Sequence, residues 1–171
     1  KTALTNEGIS FVAAFEDIDV DVDGFGKEER LSFPSPTLAT ILKPFLKNSI
    51  NVLGDAIARK LGEKFGAPGT DLLTAGTEYI NRMVRKAGTS AAVDLYDGSG
   101  LSHTSRTTPH AMLLFLEYVT KLKEFPSFWS ALPVAGVDGT LRNRMKGTAA
   151  QGLLRAKTGT LRGAYNLSGY V

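Results

Sequence analysis

Apolar residues recur at helical spacing in several stretches of the chain and alternate with polar residues in others. The first helical stretch begins near Pro36, and Pro44 is expected to kink or end that helix. A second helix is expected to begin at Asn48 or Ser49, since both residue types are good caps, and to stop at Gly66. The apolar face predicted for this second helix consists of Ile50, Leu53, Ile57, Leu61 and Phe65.

Further elements follow from the same patterns. A third helix is predicted over roughly residues 71–87, and Thr108 followed by Pro109 is expected to open a fourth. Residues 1–10 are typical of a helix end, and residues 11–25 alternate in the period-two manner of a half-buried strand. The segments A-A-V-D-L-Y, G-L-L-R-A-K-T-G-T-L and A-Y-N-L-S-G-Y-V predict strands, the last two lying side by side in an antiparallel sheet.

Composition indicates a globular domain with its own core. The 171 residues are 43% hydrophobic and 22% charged, and no apolar run approaches the roughly 18–20 residues of a membrane helix. The absence of cysteine excludes disulfides and thiolate metal sites. A net charge of +3 is too small to indicate nucleic-acid binding, and no cofactor motif is present. Between Leu141 and Val171, however, there are six basic residues and no acidic one, and this stretch would attract anions.

Two patterns suggest metal binding and fail on inspection. The segment from Asp19 to Arg30 imitates the D-x-D-x-D-G calcium loop, but Arg30 stands where the loop requires a bidentate glutamate. His103 and His110 are the only histidines, and without cysteine or an H-E-x-x-H pattern they do not predict a zinc site. We therefore expect no metal site.

Two further patterns suggest catalysis or nucleotide binding and are equally weak. Asp97, Ser102 and His103 contain the residue types of a catalytic triad, but they share one loop, and adjacent side chains rarely converge as a triad requires. Lys157 follows an alanine rather than the glycine of a phosphate-binding loop.

The segment K-T-G-T has a combination of residues that favours ligand binding. Lys157 on a strand edge offers a cation, and Thr158 and Thr160 offer two hydroxyl donors expected on the same surface. Gly159 would let a substrate backbone approach the strand closely. These residues could hold a carboxylate, with backbone N–H groups available for an oxyanion, although a solvated strand lysine would give the same letters.

The segment N-S-I-N has two interpretations. Ser49 is a good helix cap, and this is its ordinary role. At a helix start, however, Ser49 and Asn51 could also direct a hydroxyl and an amide into one cleft.

Taken in order, S-x-N and K-T-G resemble the motifs of the active-site serine penicillin-recognising enzymes. Residues 46–62, residues 96–109 with the loop D-G-S-G-L-S, and residues 132–171 narrow the resemblance to the class C penicillin-binding proteins. These are D-Ala-D-Ala carboxypeptidase/endopeptidases of the penicillin-binding protein 4 type.

The resemblance covers residues 35–171 and implies an α+β fold, in which an antiparallel sheet is flanked by helices. Residues 1–30 would be the return segment from inserted domains, and residues 31–171 the C-terminal part of the penicillin-binding domain, incomplete at both ends.

The resemblance also implies roles for individual residues. Ser49 would relay a proton to the leaving group, Asn51 would hold the substrate amide, and Lys157 would supply positive charge. Thr158 and Thr160 would bind the terminal carboxylate, the N–H of Thr160 forming half of the oxyanion hole.

A side-chain pocket is implied near the D-G-S-G-L-S loop. Leu101 and Leu161 would line the part of it that takes the aliphatic portion of a diaminopimelate side chain, and Ser99 is also expected to bind substrate. His103 stands where relatives often have an arginine for the carboxylate of that side chain. A histidine gains charge near pH 6, so a preference for carboxylate-bearing side chains is expected to increase on acidification, unless Arg106 takes over the role.

No serine in the chain is followed three residues later by lysine, so the S-x-x-K nucleophile of the family is absent. We expect this chain alone to be inactive, and a companion chain or segment to carry the serine. The implied partners are peptidoglycan stem peptides and β-lactam inhibitors, with a periplasmic or extracytoplasmic, cell-wall-associated location. A non-catalytic peptide-binding remnant and a β-lactamase are the alternatives; the D-G-S-G-L-S loop argues against the latter.

Overall fold

A computed structural model describes residues 34–88 and 93–171 of the chain. Residues 38–171 form one compact unit. The predicted return segment 1–30, the strand expected within residues 11–25 and the acidic segment Asp19–Arg30 all lie outside the described residues.

The described residues contain helices and two small antiparallel sheets. The helices are α1 (Leu38–Asn48), α2 (Asn51–Phe65), α3 (Leu72–Lys86), α4 (Pro109–Thr120) and α5 (Phe125–Ala131), with a 3₁₀ turn at Gly139–Leu141. The strands are β1 (Val93–Asp94), β2 (Arg106–Thr107), β3 (Arg155–Leu161) and β4 (Ala164–Tyr170), pairing β1 with β2 and β3 with β4.

Helix α1 passes through Pro44 and continues to Asn48, so Pro44 does not end it. The reason is packing beyond the proline. Leu46, in the last turn, is buried against Ala131 and Leu132 at the end of α5. Burial of this kind offsets the loss of one helical hydrogen bond.

Helices α2 and α3 pack through small residues rather than through the predicted apolar face of α2. The buried residues of α2 are Gly54, Ala58 and Gly62, one per turn. A Cβ atom built on Gly62 would lie 1.9 Å from the carbonyl oxygen of Leu72, and one on Gly76 would lie 1.8 Å from that of Ala58. The helix backbones therefore touch, and the larger apolar side chains of α2 lie beside the contact, with Phe65 43% exposed.

Helices α3 and α4 begin as predicted, because the caps are local. Asp71 accepts a hydrogen bond from the N–H of Thr74, and Thr108 accepts one from the N–H of Ala111, with Pro109 in the first turn. Val84 of α3, Val93 of β1 and Ala111 of α4 share a buried cluster.

Strands β3 and β4 form the predicted hairpin, in which Lys157 pairs with Ser168 and Gly159 with Asn166. The hairpin is anchored by an aromatic cluster at the end of β4. The ring of Tyr170 contacts those of Phe125, Phe128 and Trp129. Its hydroxyl also donates to the Leu116 carbonyl at 3.0 Å. Within the two described ranges, no helix has the length and apolarity that crossing a membrane requires.

Candidate active site

Ser49 occupies the corner between α1 and α2 and has a left-handed backbone with φ of 55°. It is not the cap of α2: the cap position is held by Ile50, which makes no side-chain capping bond. The Ser49 hydroxyl instead accepts a hydrogen bond of 2.6 Å from Nζ of Lys157. The prediction of a capping serine at this position is therefore wrong, because the corner turns the hydroxyl away from the helix and towards β3.

An ion pair holds the end of α1 next to this corner. Nζ of Lys47 donates to the Asp138 carboxylate at 2.6 and 2.7 Å and to the carbonyl of Leu132 at 2.6 Å. Asp138 also accepts the N–H of Val134 at 2.8 Å. Burial works to raise the pKa of Asp138, but its bonds to Lys47 and Val134 hold that pKa below its ordinary value. The position of Ser49 is thus fixed by a charged contact with the loop after α5.

Lys157 lies in the middle of the site and is half-buried. Its Nζ donates to Ser49 and, at 2.6 Å, to the carbonyl of Thr158. Among the described residues no carboxylate forms an ion pair with it. Burial therefore lowers the pKa of Lys157, which makes its neutral form easier to reach.

The two threonines of K-T-G-T leave the strand on the side opposite to Lys157, since side chains alternate along β3. The Thr158 hydroxyl donates at 2.9 Å to the hydroxyl of Thr140 in the 3₁₀ turn, while Thr160 is exposed. The sequence predicted that Lys157 and the two threonine hydroxyls share one surface, but they lie on two different sides of β3. Nζ of Lys157 approaches Ser49 on one face of β3, and the two hydroxyls lie on the other face.

Gly159 lies between the threonines and is exposed. A Cβ atom built on it would meet only Asn166, at 3.6 Å, which is an ordinary van der Waals contact. Its backbone is not left-handed, so an alanine would fit the described fold. Neither packing nor backbone conformation accounts for a glycine at this position.

Asn51 is the first residue of α2 and is half-buried. Its side-chain amide has no hydrogen bond to any other part of the chain that the structure describes. It lies two residues from Ser49, at the same corner. The amide is therefore free to meet a ligand.

The D-G-S-G loop docks on α2 one turn after Asn51. Asp55 accepts the N–H groups of Gly98 and Ser99 at 2.8 and 2.9 Å. Gly54 and Gly98 allow the close approach, since a Cβ atom on Gly54 would lie 2.2 Å from the Gly98 carbonyl oxygen. The loop is thereby held against the helix that begins at the corner.

Asp97 organises the loop internally. It accepts the Ser99 hydroxyl and the N–H groups of Leu101 and Ser102, at 2.8 and 3.1 Å for the two N–H groups. Burial works to raise the pKa of Asp97, and these hydrogen bonds hold it below its ordinary value. The Ser99 hydroxyl, predicted to bind substrate, is thus engaged inside the loop.

A cavity of about 240 Å³ lies between this loop and the β3–β4 hairpin. Its polar lining includes His103, Arg106 and Arg162, and Leu161 supplies part of its apolar wall. Arg106 donates to the carbonyls of His103 and Ser105 at 2.5 and 2.9 Å, which ties it to its own loop. Leu101 is 52% exposed and does not line the cavity.

Sequence reasoning missed Thr140, Asp55 and Arg162. Thr140 and Asp55 act through contacts with residues far away in the sequence, and no local pattern marks such contacts. Arg162 directly follows K-T-G-T-L, so its place at the mouth of the hairpin could have been read from the motif.

Comparison with known proteins shows the family to which a chain with this fold and this contact between Ser49 and Lys157 belongs. The model of the D-Ala-D-Ala carboxypeptidase 3 (S13) family matches residues 1–171, and the chain belongs to that family. This finding confirms the resemblance described from the sequence.

Individual relatives agree with the family. The chain is 34% identical over 175 residues to a D-alanyl-D-alanine carboxypeptidase of Actinomadura sp. (strain R39), covering 99% of this chain and 32% of the relative. It is 35% identical over 148 residues to the D-alanyl-D-alanine carboxypeptidase DacB of Haemophilus influenzae, covering 84% and 30%. The chain thus spans about a third of the length of these relatives.

A solved structure confirms the fold class. Penicillin binding protein 4 of Haemophilus influenzae, solved in complex with a β-lactam, superposes with a TM-score of 0.70 at 33% identity. The superposition covers 79% of this chain and 32% of that protein. The predicted DD-peptidase-like architecture of antiparallel strands and flanking helices is therefore correct.

Proposed function

We propose that this chain forms part of a serine D-Ala-D-Ala carboxypeptidase/endopeptidase that acts on peptidoglycan peptides through an acyl-enzyme. The observation that carries the proposal is the 2.6 Å hydrogen bond between Lys157 and Ser49, which joins the S-x-N and K-T-G motifs across 108 residues. Membership of the S13 family and the unexplained Gly159 support it.

The attacking serine belongs to an S-x-x-K segment outside these 171 residues, since none of the serines here has a lysine three positions later. In the acylation step the serine oxygen bonds to the carbonyl carbon and the peptide C–N bond breaks. The serine proton reaches the departing D-alanine nitrogen through Ser49. Water then hydrolyses the acyl-enzyme.

Lys157 serves this proton path in two ways. Its charge would stabilise negative charge that develops near Ser49, and its hydrogen bond to the serine hydroxyl would close the proton path; burial lowers the pKa of Lys157. Asn51 would hold the substrate amide, since its side chain is free to do so.

The face of β3 that carries the two threonines would hold the end of the substrate. Thr158 and Thr160 would line the site of the terminal carboxylate, and the N–H of Thr160 would form half of the oxyanion hole. Gly159 admits the substrate backbone, because a methyl group there would stand between the strand and the peptide.

The cavity beside the hairpin would take the side chain of the residue before the scissile bond. Leu161 covers the aliphatic part, and His103 with Arg162 meets a terminal carboxylate. Leu101 and Ser99 would shape the entrance, Ser99 through its bond to Asp97.

We propose that β-lactams acylate the complete enzyme and that it works outside the cytoplasm at the cell wall. Both proposals rest on family membership. The Haemophilus influenzae structure with its bound β-lactam supports the first.

Intact mass after incubation with benzylpenicillin tests the function. The complete protein that joins this chain to its S-x-x-K segment is expected to gain one acyl group per molecule, and residues 1–171 alone none. Ser49→Ala in the complete protein should slow acylation while the melting temperature changes little, because Ser49 is not a cap.

Each alternative gives its own result. A stoichiometric adduct on residues 1–171 alone would overturn the motif assignment. No adduct on the complete protein would favour the non-catalytic remnant, and an adduct that hydrolyses rapidly would favour a β-lactamase.

A further inference from the structure

Thr140 presents an exposed hydroxyl beside the predicted carboxylate site. Its Oγ1 lies 2.9 Å from Oγ1 of Thr158, a residue on another element of the fold. The two hydroxyls thus form a pair on the face of β3 that carries the threonines, where Thr140 is exposed and Thr158 is half-buried.

The position of Thr140 is fixed from behind. Gly139 has a left-handed φ of 57°, and a Cβ atom on it would lie 2.7 Å from the carbonyl oxygen of Lys47. The 3₁₀ turn is therefore pressed against the end of α1, two residues before Ser49. Asp138, directly before the turn, is held by Lys47. Thr140 is thus carried by the same contacts that fix Ser49.

The hydrogens of the pair are not shared equally. Thr158 donates to Thr140, so the hydrogen of Thr158 is already engaged. A hydroxyl carries a single donor hydrogen, and that of Thr140 has no acceptor among residues 34–88 and 93–171. The free donor of the pair therefore belongs to Thr140.

We propose that Thr140 is a substrate-binding residue that donates a hydrogen bond to the terminal carboxylate of the substrate and thereby selects acyl donors that end in one. The proposal rests on the function proposed above. Thr140 donates to the carboxylate, and Thr158 supports it by donating to the Thr140 oxygen. The 3₁₀ turn thus contributes a third hydroxyl to the two that the K-T-G-T motif supplies.

The test compares two thioester acyl donors in the complete protein, one whose leaving group ends in a carboxylate and its methyl ester. Thr140→Val is expected to lower kcat/KM for the carboxylate donor about tenfold, mainly through KM, and to leave the ester within twofold. Thr140→Ala should behave like Thr140→Val, and Thr140→Ser should stay within about threefold of wild type, since it keeps the hydroxyl.

A second comparison separates direct contact from support of Thr158. In a Thr158→Val background, Thr140→Val should still reduce the preference for the carboxylate donor. No further reduction there, or an equal loss for acid and ester in the single variant, would overturn the inference. If neither donor acylates the wild-type protein, both the proposed function and this inference are wrong. Acylated wild type with an unaffected Thr140→Val would defeat this inference alone.

Discussion

The α2–α3 pair and strand β3 both contain glycines without left-handed backbones, but the space around these glycines differs. In the helix pair, a Cβ atom on Gly62 or Gly76 would fall within 2 Å of a backbone oxygen. In β3, a Cβ atom on Gly159 would make one ordinary contact at 3.6 Å. Gly169 of β4, which pairs with Ala156, resembles the glycines of the helix pair, since its Cβ would lie 2.1 Å from the Arg155 oxygen.

This difference in the space around the glycines separates two reasons for finding glycine at a position. Where packing requires glycine, a substitution breaks the fold, and nothing about function follows from its presence. Where packing does not require it, the missing side chain leaves room for something other than this chain. Gly159 lies beside a half-buried lysine that has no carboxylate partner in the described ranges, and both features indicate a ligand.

Among the variants considered, Lys157→Met in strand β3 is expected to have the largest effect on acylation. Acylation of the complete protein by benzylpenicillin should fall by about 10³-fold, because a cation aimed at the reacting atoms is lost. Stopped-flow measurement of the acylation rate checks this. An unchanged rate would show that the match to K-T-G is accidental.

Lys157→Met, which should slow acylation, is not expected to lower the free energy of unfolding. The pKa of Lys157 is lower when folded than the ordinary value of 10.5, so between these two values the unfolded chain binds more protons and stability rises with pH. Lys157→Met should remove this rise and unfold no more easily than wild type at pH 7. Urea midpoints at pH 7 and pH 9.5 test the sign.

The next effect is that of Gly76→Ala in the helix pair. The added methyl group would meet the Ala58 backbone at 1.8 Å, so we expect a loss of at least about 3 kcal/mol in unfolding free energy. This outweighs the roughly 1 kcal/mol that alanine gains over glycine in a helix. Urea unfolding is the measurement, with Ala56→Gly on the exposed side of α2 as control. Wild-type stability in Gly76→Ala would show that the helices can separate cheaply.

Gly159→Ala should give the reverse result. We expect a melting temperature within about 2 °C of wild type, because the methyl group fits the described fold, and acylation slowed by about 10–100-fold. Differential scanning calorimetry and the acylation rate are measured on the same preparation. A large drop in melting temperature without a change in acylation would remove the distinction between the two kinds of glycine.

The smallest effect concerns pH dependence in the cavity beside the hairpin. The ratio of kcat/KM for a peptide with a carboxylate-bearing side chain to that for a truncated peptide should rise about twofold to threefold from pH 7.5 to pH 6. His103→Ala should abolish this rise. Arg162→Ala should lower the ratio at both pH values, since its charge is constant. A pH-independent ratio in wild type would assign the side-chain carboxylate to the arginines alone.

The fold was predictable where the signals are local. The bounds of α3 follow from the Asp71 cap and the glycine at position 88, and the β3–β4 hairpin follows from alternation in two adjacent segments. The buried face of α2 was not predictable from hydrophobicity, because close backbone contact favours glycine and alanine over the larger apolar residues beside them.

In the candidate site, too, the residues of local motifs were predictable and the contacts between distant residues were not. Ser49 and Lys157 could be named from their motifs, but the left-handed corner that brings their side chains together is a consequence of α1 packing on α5 and of Lys47 meeting Asp138. Thr140 escaped notice for a related reason: its hydroxyl matters only because the 3₁₀ turn docks next to β3.

The contact between Ser49 and Lys157 also has a consequence for the order of events during synthesis. The two residues are 108 positions apart, and ribosomes add roughly 5–20 residues per second. Ser49 is therefore added to the growing chain about 5–20 s before Lys157. During that interval helices α2 and α3 can form, but the contacts of Lys47 with Asp138 and of Ser49 with Lys157 cannot, so the corner reaches its final geometry only near the end of synthesis of these 171 residues.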